Sequence, residues 1–196
     1  MTTISAEERE YTQELKKKTA MPMILLGMGS IVMIFAALTS AVIVSKSSRD
    51  WVNIEIPSTF LFSTIVIIIS SLSYWWAYRS AKKGQFSMLK NGVMITLILG
   101  LVFTFLQFSA WNELTRNGVF FAGPSSTVSG SYFYVLTGLH LAHLIGGLIS
   151  LSVVYYKSAR GFYSSNKLLG LQVSTTYWHF LSVLWVYLYI FLNFIA

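Results

Sequence analysis

Apolar runs long enough to cross a bilayer recur five times along this chain, and the charges collect between them. The runs cover about Met21 to Val44, Ile56 to Tyr78, Val93 to Asn112, Tyr132 to Tyr156 and Leu171 to Ile195, with limits good to a few residues. Each approaches or exceeds the ~20 residues that a helix needs to span hydrocarbon, and none carries Lys or Arg in its core. The pattern predicts an all-α polytopic membrane protein. A bundle of five transmembrane helices forms one domain over residues 21–196, after a cytoplasmic N-terminal segment at residues 1–20.

The polar stretches punctuate this plan. Residues 3–18 (TISAEEREYTQELKKK) place acids first and bases last, which suits a short helix matched to its own dipole. The loop at 45–55 leads into Ile56-Pro57, with proline expected in the first turn of the second helix. A basic connection at 78–86 and a longer loop at 115–130, with Asn-Gly and Gly-Pro turn signals, follow. Short connections favour antiparallel packing of sequence neighbours. Gly27, Gly29, Gly138, Gly146 and Gly147 offer close helix approach. Aromatics near the span ends, among them Trp51, Tyr74, Trp75, Trp76, Trp111, Tyr177 and Trp178, suit interfacial belts.

Composition removes the soluble alternative. Only 11% of residues are charged, against roughly 25% in a soluble domain, while 55% are hydrophobic and the mean hydropathy is +0.62. Five soluble helices would lack the polar residues to cover their bundle. The net charge of +7 has a topological meaning. Arg9, Lys16, Lys17, Lys18, Arg79, Lys82, Lys83, Lys90, Lys157, Arg160 and Lys167 fall on one side of the membrane. Lys46, Arg49 and Arg116 fall on the other. The positive-inside rule then puts the N-terminus in the cytoplasm and the C-terminus outside, and it leaves no case for nucleic acid. No cleaved signal peptide is read at the N-terminus. With no cysteine in the chain, disulfides and thiolate metal sites are excluded.

Candidate chemistry rests on three histidines, all inside spans: His140 and His143 in TGLHLAHLIGG (137–147), and His179 in YWHFLSVLWVYLY (177–189). An ionisable residue at membrane depth is a functional candidate by default. His140 and His143 share a helix face, being three apart. One reading is metal or haem ligation between His140 or His143 and His179. Another is a proton path, but the acids Glu7, Glu8, Glu10, Glu14, Asp50, Glu55 and Glu113 all lie away from the middle of a span. The third, favoured by that distribution, is structural: imidazoles that tie helices together or hold lipid headgroups or water between them.

Tyr177-Trp178-His179-Phe180, opening the last span, and Thr137-Gly138-Leu139-His140-Leu141-Ala142-His143, on the span before, resemble subunit III of the haem–copper terminal oxidases. The similarity runs through Gln107, Trp111 and MIFAALTSAVIV (33–44), and the chain is similar to the five-helix bacterial type of the cytochrome c oxidase subunit 3 family. Three acids common in that family are replaced here, by Ile31, Ala110 and Ser182. The resemblance implies an accessory subunit, without a catalytic centre, of a proton-pumping oxygen reductase of aerobic respiration in the bacterial inner membrane. Haem and copper would belong to partner subunits I and II, with none in this chain. Phospholipid would bind in a helix cleft lined or braced by His140, His143, His179, Tyr177, Trp178, Gly138, Gln107 and Trp111. LTSAVIV and IPSTFLFSTIVIIISS lean towards cytochrome c rather than quinol as the electron donor. A supercomplex with an upstream quinol-oxidising complex also fits the resemblance. Two readings of other classes stand beside it: a cytochrome b-like anchor with haem on His143 and His179, and a lipid-binding assembly factor.

Overall fold

The computed structural model describes residues 6–47, 51–124, 126–163 and 168–195, and of residues 6–13, 16 and 17 the backbone alone. Arg49, Asp50 and Lys167, and the side chains of Glu7, Glu8, Arg9, Glu10, Lys16 and Lys17, lie outside the described part. The helices are α1 (Ala6–Ser45), α2 (Thr59–Lys82), α3 (Phe86–Arg116), α4 (Val128–Ala159) and α5 (Leu169–Ile195). All five contain a stretch long and apolar enough to cross a membrane. The protein is an all-helical, multi-pass membrane protein.

Helices α2 to α5 close a ring: α2 packs on α3 and α5, and α4 packs on α3 and α5. Helix α1 stands outside this ring and, among the described residues, touches α4 and α5 alone. Sequence neighbours therefore pair throughout, except α1 and α2. Their connection runs from Lys46 to Ser58 and is long enough to release the pair, whereas Lys83–Gln85 turns α2 directly into α3. Gly84 makes that reversal with φ +77°, a conformation that costs a residue without Cβ little.

Bilayer burial explains which faces turn inward. Lipid is as apolar as leucine, so packing and hydrogen bonds, rather than hydrophobicity, select the faces. On α2 the buried set includes Ser63, Thr64, Ile67, Ser70 and Tyr74. On α3 it includes Gly92, Thr96, Gly100, Phe103 and Gln107. Both follow the three- and four-residue steps of a helix face. Long apolar side chains such as Phe105, Ile149 and Phe194 point outward instead.

Two expectations shift. The N-terminal polar helix and the first span form one continuous helix of 40 residues, about 60 Å long. It runs unbroken through Pro22, which lacks the N–H that would meet the Lys18 carbonyl. Pro57 lies just before α2 rather than in its first turn, with its carbonyl accepting from the Phe60 N–H at 3.0 Å.

Candidate functional site

Two tryptophans on the inner face of α5 organise the ring. Trp178 is buried and its Nε1 donates to Ser70 Oγ on α2 at 3.2 Å. Its ring fills the space left by Gly100 of α3 and Gly147 of α4; a Cβ at either would come within 2.8 Å and 3.1 Å of the indole. One residue thereby joins all four core helices. Two turns further on, Trp185 repeats the arrangement. Its Nε1 donates to Thr64 Oγ1 at 3.0 Å, and its ring meets Phe60, Phe103 and His140 at centroid distances of 5.9, 5.0 and 5.0 Å. An interfacial belt does not describe Trp178 or Tyr74, which is also fully buried; Trp75 and Trp76 do face outward near the basic end of α2.

The three imidazoles point to different places. His140 lies in the core between Phe103 and Trp185, and neither ring nitrogen has a hydrogen-bond partner. His143 donates from Nδ1 to the Leu139 carbonyl of its own helix at 2.8 Å, and its ring lies 6.0 Å from that of Phe35 on α1. The tie between α4 and α5 at this level comes from Tyr177, whose hydroxyl donates to the His143 backbone carbonyl at 3.2 Å. His179 pairs through Nδ1 with the Ser71 hydroxyl of α2. The imidazoles therefore do not satisfy one another: one uses a backbone carbonyl, one a serine, and one has no partner.

Gln107 donates from Nε2 to Ser63 Oγ at 3.1 Å, and Trp111 donates from Nε1 to Thr137 Oγ1 at 3.1 Å. Both bonds cross between helices. Gly138 meets the Trp111 ring at an ordinary 3.9 Å, Gly146 meets Tyr177 at 3.8 Å, and Gly27 and Gly29 have nothing within 4 Å. The close approaches fall at Gly147 and at three glycines that the sequence reading did not single out, Gly92, Gly100 and Gly130. A Cβ at Gly92 would stand 2.6 Å from that of Ala77, so α2 and α3 touch there backbone to backbone. Nothing in an apolar run distinguishes these glycines from the others.

Two grooves open on the outer side of α5. One, of about 260 Å³, lies against α1 between Phe35 and Tyr187. The other, of about 240 Å³, lies against α2 between Ser71 and Ser182, and Val183 lines both. None of the eight cleft residues expected from the sequence lines either groove; His140, Trp178 and Gln107 are core residues. Three neutral positions, Ala110, Ile31 and Ser182, are each taken up in packing or in a hydrogen bond within a helix. Ala110 is buried in the ring, Ile31 packs against the core from α1, and the Ser182 hydroxyl donates to the Trp178 carbonyl at 2.9 Å.

Comparison with known proteins gives a consistent picture. A family model described as cytochrome c oxidase subunit III matches residues 10–196. Cytochrome c oxidase subunit 3 of Syncerus caffer is 34% identical over 137 residues, which is 70% of this chain and 49% of that protein. The same-named protein of Lemur catta is also 34% identical over 137 residues, 70% of this chain and 47% of its own length. That of Spodoptera frugiperda is 34% identical over 130 residues, 66% of this chain and 84% of that protein. The chain spans about half the length of the first two relatives.

Proposed function

The chain belongs to the cytochrome c oxidase subunit III family, and from that premise we propose that it is an accessory, non-catalytic subunit of a proton-pumping haem–copper oxygen reductase. The observation that carries this reading is the family match along nearly the whole chain. The family's histidine motifs are built here as packing: Trp178 fills the four-helix core, and His143 and His179 bond to a carbonyl and a serine. Electron transfer and oxygen chemistry belong to subunits I and II, which hold haem and copper. This chain stabilises the catalytic subunit and binds phospholipid. The grooves beside α5 supply apolar troughs suited to acyl chains, open along α1 and α2.

The basic residues set the orientation in this reading. Arg79, Lys82, Lys157 and Arg160 gather at one end of the bundle, and three of them lie over aromatic rings at 4.6 to 4.7 Å. That end faces the cytoplasm of a bacterial inner membrane. Cytochrome c is the electron donor.

Purification through a C-terminal tag in mild detergent, with mass spectrometry and a reduced-minus-oxidised spectrum, tests the proposal. A large subunit with a-type haem, copurifying in equal amount, is expected. An o-type spectrum and no copper-bearing subunit II would make the enzyme a quinol oxidase. A lone chain with its own haem band would replace the reading with that of a haem anchor.

A further inference from the structure

Among the buried polar atoms of the ring helices that have no hydrogen-bond partner among the described residues, three lie close together: both ring nitrogens of His140 and Oε1 of Gln107. Buried polar atoms in native interiors are met by protein or by ordered water, because an unmet one forfeits its hydration without return. These atoms lie at one level of the bundle. Trp111 of α3 bonds to Thr137 of α4, and Phe103 of α3 lies 6.1 Å from the His140 ring. Gln107 stands one turn from both Phe103 and Trp111 on the same face of α3, so it faces the stretch of α4 between Thr137 and His140.

The chemistry of the two side chains is complementary through a third party. A neutral imidazole has one donor and one acceptor nitrogen. Gln107 already donates to Ser63, which leaves its carbonyl oxygen as the unmet acceptor. Turning the amide over exchanges which atom is orphaned and still leaves one without a partner. Lipid does not reach His140, which has no exposed surface. A cation is a poor match, since Ca²⁺ takes 6–8 oxygen ligands and structural Zn²⁺ four side chains.

We propose that the core is a binding site for internal water. At least one molecule accepts from the His140 N–H and donates to Gln107 Oε1. This water bridge joins α3 to α4 in the layer where Gln107–Ser63 and Trp185–Thr64 join α2 to α3 and α5. It gives the one unpaired histidine of the chain a partner on another helix.

The test is electron cryomicroscopy of the intact complex at a resolution that shows ordered water, whichever partners copurify, so it stands apart from the oxidase assignment. A density peak within hydrogen-bond distance of a His140 ring nitrogen and of Gln107 Oε1 is expected. Well-resolved side chains with nothing between them, or a direct His140–Gln107 bond, would overturn the proposal. A mutant cycle adds a second reading, scored as the rate at which the full-length chain leaves the heated complex. His140→Leu and Gln107→Leu should each speed release by roughly tenfold, about 1.4 kcal/mol, and the double variant no more than the worse single one. Additive losses would mean no shared water. Should His140→Leu fail to assemble, His140→Gln takes its place; it keeps a donor and an acceptor and is expected to retain the density peak.

Discussion

Helix α1 is at least as apolar to a hydropathy scan as any helix of the ring of α2 to α5, yet the two are held by different means. In the spanning stretches of α2 to α5, 33 to 44% of residues are buried, against 11% in α1. The ring is pinned by two indoles that each bond to one helix and pack on others. Helix α1 rests on a single seam of Met28, Phe35, Thr39 and Val42. Among the described residues two hydroxyl bonds fasten it, Tyr187 to Thr39 and Ser45 to Tyr132, each 3.2 Å long. In a bilayer, apolar area gives no preference for protein over lipid, so cohesion follows packing and hydrogen bonds. The ring is the stable unit, and α1 is a helix laid against it.

The largest test of this contrast is Trp178→Ala. It empties the space between Gly100 and Gly147 and removes the bond to Ser70, which predicts a loss of about 3–5 kcal/mol. Denaturation in mixed micelles measures it, and a loss near zero would place the organising centre elsewhere. Gly100→Val attacks the same point from the other side. Its first carbon would stand 2.8 Å from Trp178 and 2.9 Å from Leu148, an overpacking worth about 1–3 kcal/mol. Gly27→Ala, on α1 with nothing within 4 Å, serves as the control and should cost nothing measurable.

Smaller effects are expected on the α1 seam. Tyr187→Phe and Thr39→Val break the same hydrogen bond and should each cost about 0.6 kcal/mol, without adding when combined. The readout is the distance between spin labels on α1 and α4, which should broaden while the core unfolds at an unchanged denaturant level. His143→Leu belongs to this group, because its ring meets Phe35 whereas the α4–α5 bond uses its backbone carbonyl. In the oxidase this variant should shorten the working life of the complex and leave its haem content intact; loss of haem would contradict a structural role.

The same contrast explains what the sequence reveals. Five spans were legible because hydrocarbon demands long uncharged runs, and each coincides with one of the five helices. Their ends were less so: α3 begins at Phe86 rather than near Val93, since hydropathy marks where lipid starts and a helix continues beyond it. The inward faces were partly legible, because Ser63, Thr64, Gln107 and His140 betray them by being polar. The partners were not. That α1 avoids α2, or that Trp178 meets Gly100 rather than an interface, depends on contacts far apart in sequence. The histidines marked the right helices, but the separate destinations of their rings follow from rotation about the helix axis that no spacing of three specifies.

The smallest expected effect concerns Ile31, one of the three positions where the resemblance implies an acid. Ile31 lies on the inner stripe of α1, three residues after Met28 and four before Phe35, and packs against the core. Ile31→Glu would set a carboxyl group at membrane depth on the weakly held helix. The described acids offer it no relay: Glu14 lies in the polar lead-in, Glu55 in the connection before α2 and Glu113 near the end of α3. Without a neighbouring acid the carboxyl group has no onward partner for a proton. Proton-to-electron stoichiometry in reconstituted vesicles should match that of the unsubstituted complex, with at most a slight loosening of α1. A raised stoichiometry would mean that α1 borders a proton path, and the division between a working core and a passive outer helix would have to be redrawn.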